Sequence, residues 1–196
     1  MADIERQQNA VWRTFENEFE AYALILPGDA SFICQARECR AHCCRAFSVP
    51  LGDGEVARME KSSGLPPGKF LESEDGEPVL LPLVQPYLLS RTDGHCTLLQ
   101  LDMGCGQYDG RPNACRLYPH QLLVIRAGRV VSPGPAEVRD RLVEMEAGLS
   151  AEMTVLLLRH RECPGFTGPS LTVADWLALL HETGALQFES VEGPRA

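Results

Sequence analysis

The stretch that decides how this chain is read is Cys34-Gln35-Ala36-Arg37-Glu38-Cys39-Arg40-Ala41-His42-Cys43-Cys44, which packs four of the chain's eight cysteines into eleven residues. Its spacing is Cys-x4-Cys-x3-Cys-Cys. Farther along, Cys96, Cys105 and Cys115 follow at intervals of nine and ten residues, and Cys163 stands in Cys163-Pro164-Gly165. The N-terminus, Met1-Ala2-Asp3-Ile4-Glu5-Arg6, is polar and acidic, without the basic and apolar regions of a secretory signal. The expectation is a cytoplasmic protein, where structural disulfides are disfavoured. Thiols crowded together in a reducing compartment read as metal ligands, because a cation offsets the repulsion among converging thiolates.

Geometry sharpens this reading. Zinc takes four ligands in a roughly tetrahedral shell, and eight thiols are twice that number. The α-carbons of Cys43 and Cys44 lie about 3.8 Å apart and their side chains tend to diverge, so both reach one ion only through a strained ring. The easier arrangement sends them to different ions or makes one sulfur a bridge. A site with two or more metals, or an iron–sulfur cluster with another ion, is therefore preferred to a single four-thiolate zinc. The spacing is neither that of a zinc ribbon nor that of a bacterial ferredoxin. Thiolate softness admits zinc, iron or an iron–sulfur cluster. The expected ligands are Cys34, Cys39, Cys43, Cys44, Cys96, Cys105, Cys115 and Cys163. Should one thiol escape the metal, Cys34 is the candidate nucleophile.

The residues around the cysteines resemble a known family. Cys39-x3-Cys43-Cys44-Arg45 is one point of likeness. A more specific one is the run from Cys105 to Pro119, with Tyr108, Arg111-Pro112, Cys115-Arg116 and Tyr118-Pro119. Cys163-Pro164-Gly165 is the third, with Cys96 between. Over residues 32–166 the chain is similar to the bacterial CxxCxxCC cysteine-cluster proteins, labelled as zinc- or iron-chelating domains. The spacing departs from the family name at the start, where x4 and x3 replace x2. The resemblance implies metal chelation by the eight matched cysteines. Related clusters in a bacterial flagellin lysine methylase supply the alternative, an iron–sulfur redox enzyme or a methyltransferase-like protein. No glycine-rich nucleotide fingerprint accompanies it, and Gly104-Cys105-Gly106 alone is weak. Whether the chain is an enzyme is left open.

Composition bounds the rest. With 196 residues, 44% of them hydrophobic, the chain suits one domain with an ordinary core. A formal charge of −9 argues against nucleic acid as a partner, and no apolar stretch is long enough for a bilayer. The expected partners are metal ions; the sequence identifies no protein partner. Sixteen of the eighteen basic residues are arginines, and Arg37, Arg40, Arg45, Arg111, Arg116 and Arg161 lie within four residues of a cysteine. They either offset thiolate charge or reflect a genome that favours arginine codons. His42, His95 and His120 also lie near cysteine motifs and are read as surface or supporting residues; His160 and His181 are read as exposed on helices.

The expected fold is α+β, a single small domain (1–196) organised around a cysteine-rich metal centre, with flanking helices and short strands. An amphipathic helix is expected over residues 3–24, from Val11, Phe15, Phe19 and Tyr22 at helical spacing, with Asp3 as cap. The cysteine region covers 32–166. Within it, a strand is expected at 47–51 and a helix from Asp53 to about Lys61. An acidic turn over 72–77 and an edge-like strand pair over 79–90 follow, then a strand at 97–99. Pro112 starts a turn carrying Cys115. Ala127-Gly128 reads as a hairpin turn, 135–147 as a helix and 151–159 as its continuation. Thr172-x-x-Asp175 opens a last helix ending at Gly184.

Overall fold

The computed structural model describes residues 2–149 and 152–188. In chain order the elements are α1 (Ala2–Phe15), β1 (Tyr22–Leu24), α2 (His42–Ala46), β2 (Pro50–Leu51) and α3 (Asp53–Ser63). Four short strands and a strand-helix pair come next: β3 (Ser73–Glu74), β4 (Glu77–Pro78), β5 (Tyr87–Leu88), β6 (Arg91–Thr92), β7 (His95–Cys96) and α4 (Asn113–Leu117). The chain closes with β8 (His120–Arg126), β9 (Arg129–Val130), α5 (Pro135–Glu146), β10 (Met153–His160) and α6 (Val173–Phe188). Helices and short antiparallel strands make this a mixed α/β protein, as its patterning indicated. Two compact units emerge: one runs up to Cys34 and resumes at Leu117, and the other spans Gln35 to Arg116.

The first unit is built on an antiparallel sheet in the order β1-β10-β8-β9. Strand β10 is central, with Tyr22 opposite His160 on one side and Leu123 opposite Leu156 on the other. Both faces of the sheet are covered. Val155 and Leu157, with Leu122 and Val124, pack against Val138, Leu142, Trp176 and Leu180 of α5 and α6. Leu156 and Leu158, with Leu123 and Ile125, pack against Trp12 and Phe15 of α1. Burial on both faces explains why residues 155–158 form an unbroken apolar run. Such a run lacks the alternation that marks a half-buried strand, so the helical reading of 151–159 is corrected here to a strand over Met153–His160. Residue 151 itself lies outside the described residues.

Other boundaries shift for physical reasons. The first helix ends at Phe15, not at residue 24, and Tyr22–Leu24 becomes an edge strand. Glu16, Glu18 and Glu20 would place acidic charge against the negative end of a longer helix; pairing with β10 instead satisfies the backbone of β1. Asp3 lies inside the helix, whose span includes Ala2. At the other end, α6 runs past Gly184 to Phe188. There a Cβ would meet Leu142 and Leu122 methyls at 3.3 and 3.4 Å, so this glycine allows close packing of α6 and does not end it. The start of α6 is as expected: Asp175 Oδ2 accepts from the Thr172 backbone N–H at 3.0 Å, and the Asp175 N–H donates to Thr172 Oγ1 at 3.2 Å. The Ala127-Gly128 turn, with φ of 48° and 72°, joins β8 and β9 as a hairpin.

The second unit has a smaller core of Leu51, Met59, Phe70, Leu71, Leu89 and Cys96. Its strands are two-residue pairs, β2 with β5, β3 with β4, and β6 with β7. The strand expected at 47–51 narrows to Pro50–Leu51. Of residues 79–90 only Tyr87–Leu88 is a strand, because Pro82 and Pro86 remove the donors a ladder needs. Residues 97–98 are a turn, and Leu99 makes only a single bridge, to Cys105. The acidic turn forms a hairpin across Asp75-Gly76, whose φ values of 52° and 88° suit a two-residue connection. Helix α3 is capped by Gly52, with Asp53 already inside it. No helix among the described residues is long and apolar enough to cross a membrane.

Candidate metal centre

Six of the eight cysteines belong to the second unit, on four separate pieces of backbone. Cys43 and Cys44 ride the single helical turn α2, which follows a turn over residues 36–40. The chain enters α2 through Arg40 and Ala41, both at φ 52°, which reverses it sharply after Cys39. Non-glycine residues rarely hold that conformation without support. Here Ala41 is buried and its N–H donates to Ala36 O at 2.7 Å.

Arg91 anchors the far end of α2. Its guanidinium donates to the carbonyls of Arg45, Phe47 and Gly94, tying the helix exit to the β6–β7 hairpin. In that hairpin Arg91 pairs with Cys96, and Cys44 packs against the core cluster that includes Cys96. Cys105 is fixed by its bridge to Leu99 and by the Gly106 N–H donating to Leu98 O at 2.8 Å.

Cys115 sits on α4, whose first N–H, that of Asn113, donates to Glu55 Oε1 at 2.7 Å. Glu55 lies on α3, is only 6% exposed, and also accepts from Gly52 N at 3.0 Å and Gln85 Nε2 at 2.9 Å. One buried carboxylate thus caps α3 and positions the start of α4. Beside it, Arg58 Nη2 donates to Asn113 Oδ1 at 2.8 Å and to Arg111 O at 3.2 Å. The Cys105–Cys115 connection lies so close to α3 that a Cβ on Gly110 would sit 1.9 Å from Ser62 Oγ.

These placements bring five sulfurs into electrostatic reach of one another. The Cys44 thiol donates to Cys43, and this bond, opposed by burial and aided by backbone N–H groups and His42, pulls the Cys43 thiol down to about 6. Its partner Cys44 moves strongly upward, first from the same hydrogen bond, then from burial and from Cys43, Cys96 and Cys105. Burial pushes Cys96 up, with Cys105 and Cys43 adding and Arg91 opposing. Burial also pushes Cys115 up to about 12, with Cys96, Cys105 and Cys43 adding and Arg111 opposing. One thiolate suppresses the next, as expected of like charges at short range.

Cys39 is on the preceding turn, with Sγ donating to Ala36 O at 3.7 Å. Cys34 and Cys163 belong to the first unit. The Ile33 N–H donates to Gly165 O at 2.7 Å and the Gly168 N–H to Ser31 O at 3.0 Å, which sets Cys34 alongside Cys163-Pro164-Gly165. A side chain on Gly165 would strike the Phe32 ring at 2.5 Å, so the glycine is required for this approach. No disulfide joins any of the eight cysteines. Among the described residues, no three Cys, His, Asp or Glu side chains converge tightly enough to hold an ion as they stand. The chemistry of the donor set nonetheless suits a soft or borderline cation. Thiols that hydrogen-bond and repel one another change to mutual attraction for an ion once deprotonated around it.

Several residues read from sequence as neighbours of sulfur act elsewhere. Arg161 Nε donates to Tyr22 O at 2.6 Å and secures the edge strand β1. Arg45 Nε donates to Arg40 O at 2.9 Å. Arg111, by contrast, stacks 3.6 Å over Tyr108 and still exerts its charge on Cys115. His120, expected at the surface or in support of the cysteines, is in the first unit between the rings of Phe32 and Phe166. Burial there pulls its imidazole down to about 4. His160 is on strand β10, not on a helix, with its ring edge-on to Tyr22 at 5.3 Å. Tyr118 packs on that same ring at 5.6 Å. His181 does lie on a helix, half-buried, 3.8 Å from Glu146. Sequence reasoning missed Glu55, Arg58 and Arg91. A signal existed for Glu55, three residues beyond the glycine that caps α3; Arg91 carried none.

A family model named CxxCxxCC, "Putative zinc- or iron-chelating domain", matches residues 33–146. That is more than half of the chain and includes every cysteine except Cys163, so the chain belongs to this family. No curated protein and no solved structure matches it.

Proposed function

We propose that this member of the CxxCxxCC family binds zinc or iron through a polynuclear thiolate centre. Metal binding is the general function its family supports; ligands and nuclearity are the proposal. The proposed ligands in the second unit are Cys39, Cys43, Cys44, Cys96, Cys105 and Cys115. The observation that carries this reading is that five of them press on one another electrostatically while placed by four different backbone segments. Nothing in ordinary core packing calls for such a set. Six thiols exceed the four that one tetrahedral ion takes, and the adjacent pair Cys43-Cys44 favours two ions or a bridging sulfur. Cys34 and Cys163, neighbours in the first unit, are a further proposed thiolate pair, supplying two of the four donors an ion takes. When bound, the ion supplies Lewis acidity and cross-linking of the loops, or electron transfer if it is iron.

The protein's own residues have definable tasks. Arg91 and Arg111 offset thiolate charge at Cys96 and Cys115, and Glu55 holds the helix bearing Cys115. Anaerobic purification followed by elemental and sulfide analysis tests the proposal. The expected result is more than one zinc or iron per chain. Iron with inorganic sulfide would favour the iron–sulfur redox alternative. A well-folded, metal-free protein that takes up neither ion would overturn the reading.

A further inference from the structure

We infer that the excursion from Glu72 to Pro86 is a docking surface for a basic, apolar segment of another protein. Two lobes rise from one base, where Glu72 N donates to Leu88 O at 2.9 Å and Leu71 bridges Leu89. The first lobe is the β3–β4 hairpin, on which Glu74, Asp75 and Glu77 are exposed. The second is the turn over residues 79–86, on which Leu80, Leu83 and Val84 are 66%, 59% and 74% exposed. Single exposed apolar residues are ordinary, but three within five positions of one turn are not.

The turn is held in shape. Leu81 N donates to Pro86 O and Leu83 N to Leu81 O, each at 2.8 Å, and Gln85 Nε2 donates to Glu55. The apolar side chains are therefore presented on a fixed frame, which lowers the ordering cost of binding.

Charge selects the occupant. Between Lys69 and Arg91 there is no basic residue and there are four acidic ones. A second copy of this chain would bring a net charge of −9 against the same acidic lobe, and an anionic lipid surface would be repelled likewise. A peptide segment that interleaves lysine or arginine with leucine-like residues complements both lobes at once. Gln85, at the end of this turn, shares Glu55 with the start of α4, the helix that carries Cys115.

The test is fluorescence anisotropy with a labelled synthetic peptide of lysine and leucine at helical spacing, and a matched glutamate–leucine peptide. The full chain is compared with L80S/L83S/V84S, whose substitutions fall on exposed positions, and folding of that variant is checked by circular dichroism. The expected result is binding of the basic peptide alone, weakened by added salt and at least about tenfold weaker in the variant. Equal binding by the variant, or equal binding of the acidic peptide, overturns the inference. Sedimentation that shows wild-type dimers dissociated by the same substitutions, or variant-sensitive binding to phosphatidylserine vesicles, overturns it in favour of self-association or a membrane.

Discussion

Replacing Glu55 tests how the second unit holds its thiols in place. The carboxylate accepts three hydrogen bonds, from Gly52 N, Asn113 N and Gln85 Nε2, at 2.7–3.0 Å in a buried setting. Bonds to a charged group contribute about 1.5–3 kcal/mol each, so their gross loss on Glu55→Ala is about 4.5–9 kcal/mol. Several kcal/mol return because a carboxylate is no longer desolvated, and water reaches some of the released donors, leaving a net loss of about 3 kcal/mol. Glu55→Gln keeps one acceptor oxygen and turns an amide toward a backbone donor, for a loss of about 1–2 kcal/mol. Urea unfolding of the metal-loaded protein measures both. Mass-spectrometric alkylation under chelator gives an independent reading, since release of the α4 start should further expose the half-buried Cys115 thiol, whose pKa is pushed up to about 12. Faster labelling of Cys115 than of Cys96 is expected in Glu55→Ala. A variant with wild-type stability and an unchanged labelling pattern would refute the role assigned to this carboxylate.

Three further outcomes follow from geometry. Gly110→Ala drives a methyl into Ser62 Oγ and should cost about 1–3 kcal/mol by urea unfolding, with partial recovery on adding Ser62→Gly; no loss would show that the loop is not packed on α3. Arg91→Lys cannot span three carbonyls, so chelator competition should show weaker metal retention than in the wild type, and an unchanged off-rate would remove Arg91 from the site. His120 is held at about 4 against an ordinary 6.5. The unfolded chain therefore takes its proton first as pH falls, and stability that is full above pH 6.5 is lost towards pH 4, by up to about 3 kcal/mol. His120→Phe should flatten that part of a urea-midpoint profile, and a variant with the wild-type slope would contradict the assignment.

Some features were readable from the chain because their causes are local. The hairpin at Ala127-Gly128, the helix from Pro135 and the Thr172–Asp175 box depend on residues next to one another. The acidic turn over 72–77 is of the same kind. Where the reading failed, a distant partner was responsible. Residues 155–158 are a strand because α1 covers one face of the sheet and α5 and α6 the other. Tyr22 leaves the helical pattern because β10 offers it a ladder, and Gly184 continues a helix because Leu122 and Leu142 need the space.

The same division holds for the site. Thiol number, residue type and spacing, all local, were enough to indicate soft-metal chelation and the family, since affinity for such ions follows from the donor atom. Which sulfurs press on which, and what positions them, depended on the fold. Glu55 reaches Asn113 across fifty-eight residues, and Arg91 reaches Arg45 across forty-six. Hydrogen bonds over such separations form only after the backbone has closed, and leave no periodicity in the chain to announce them.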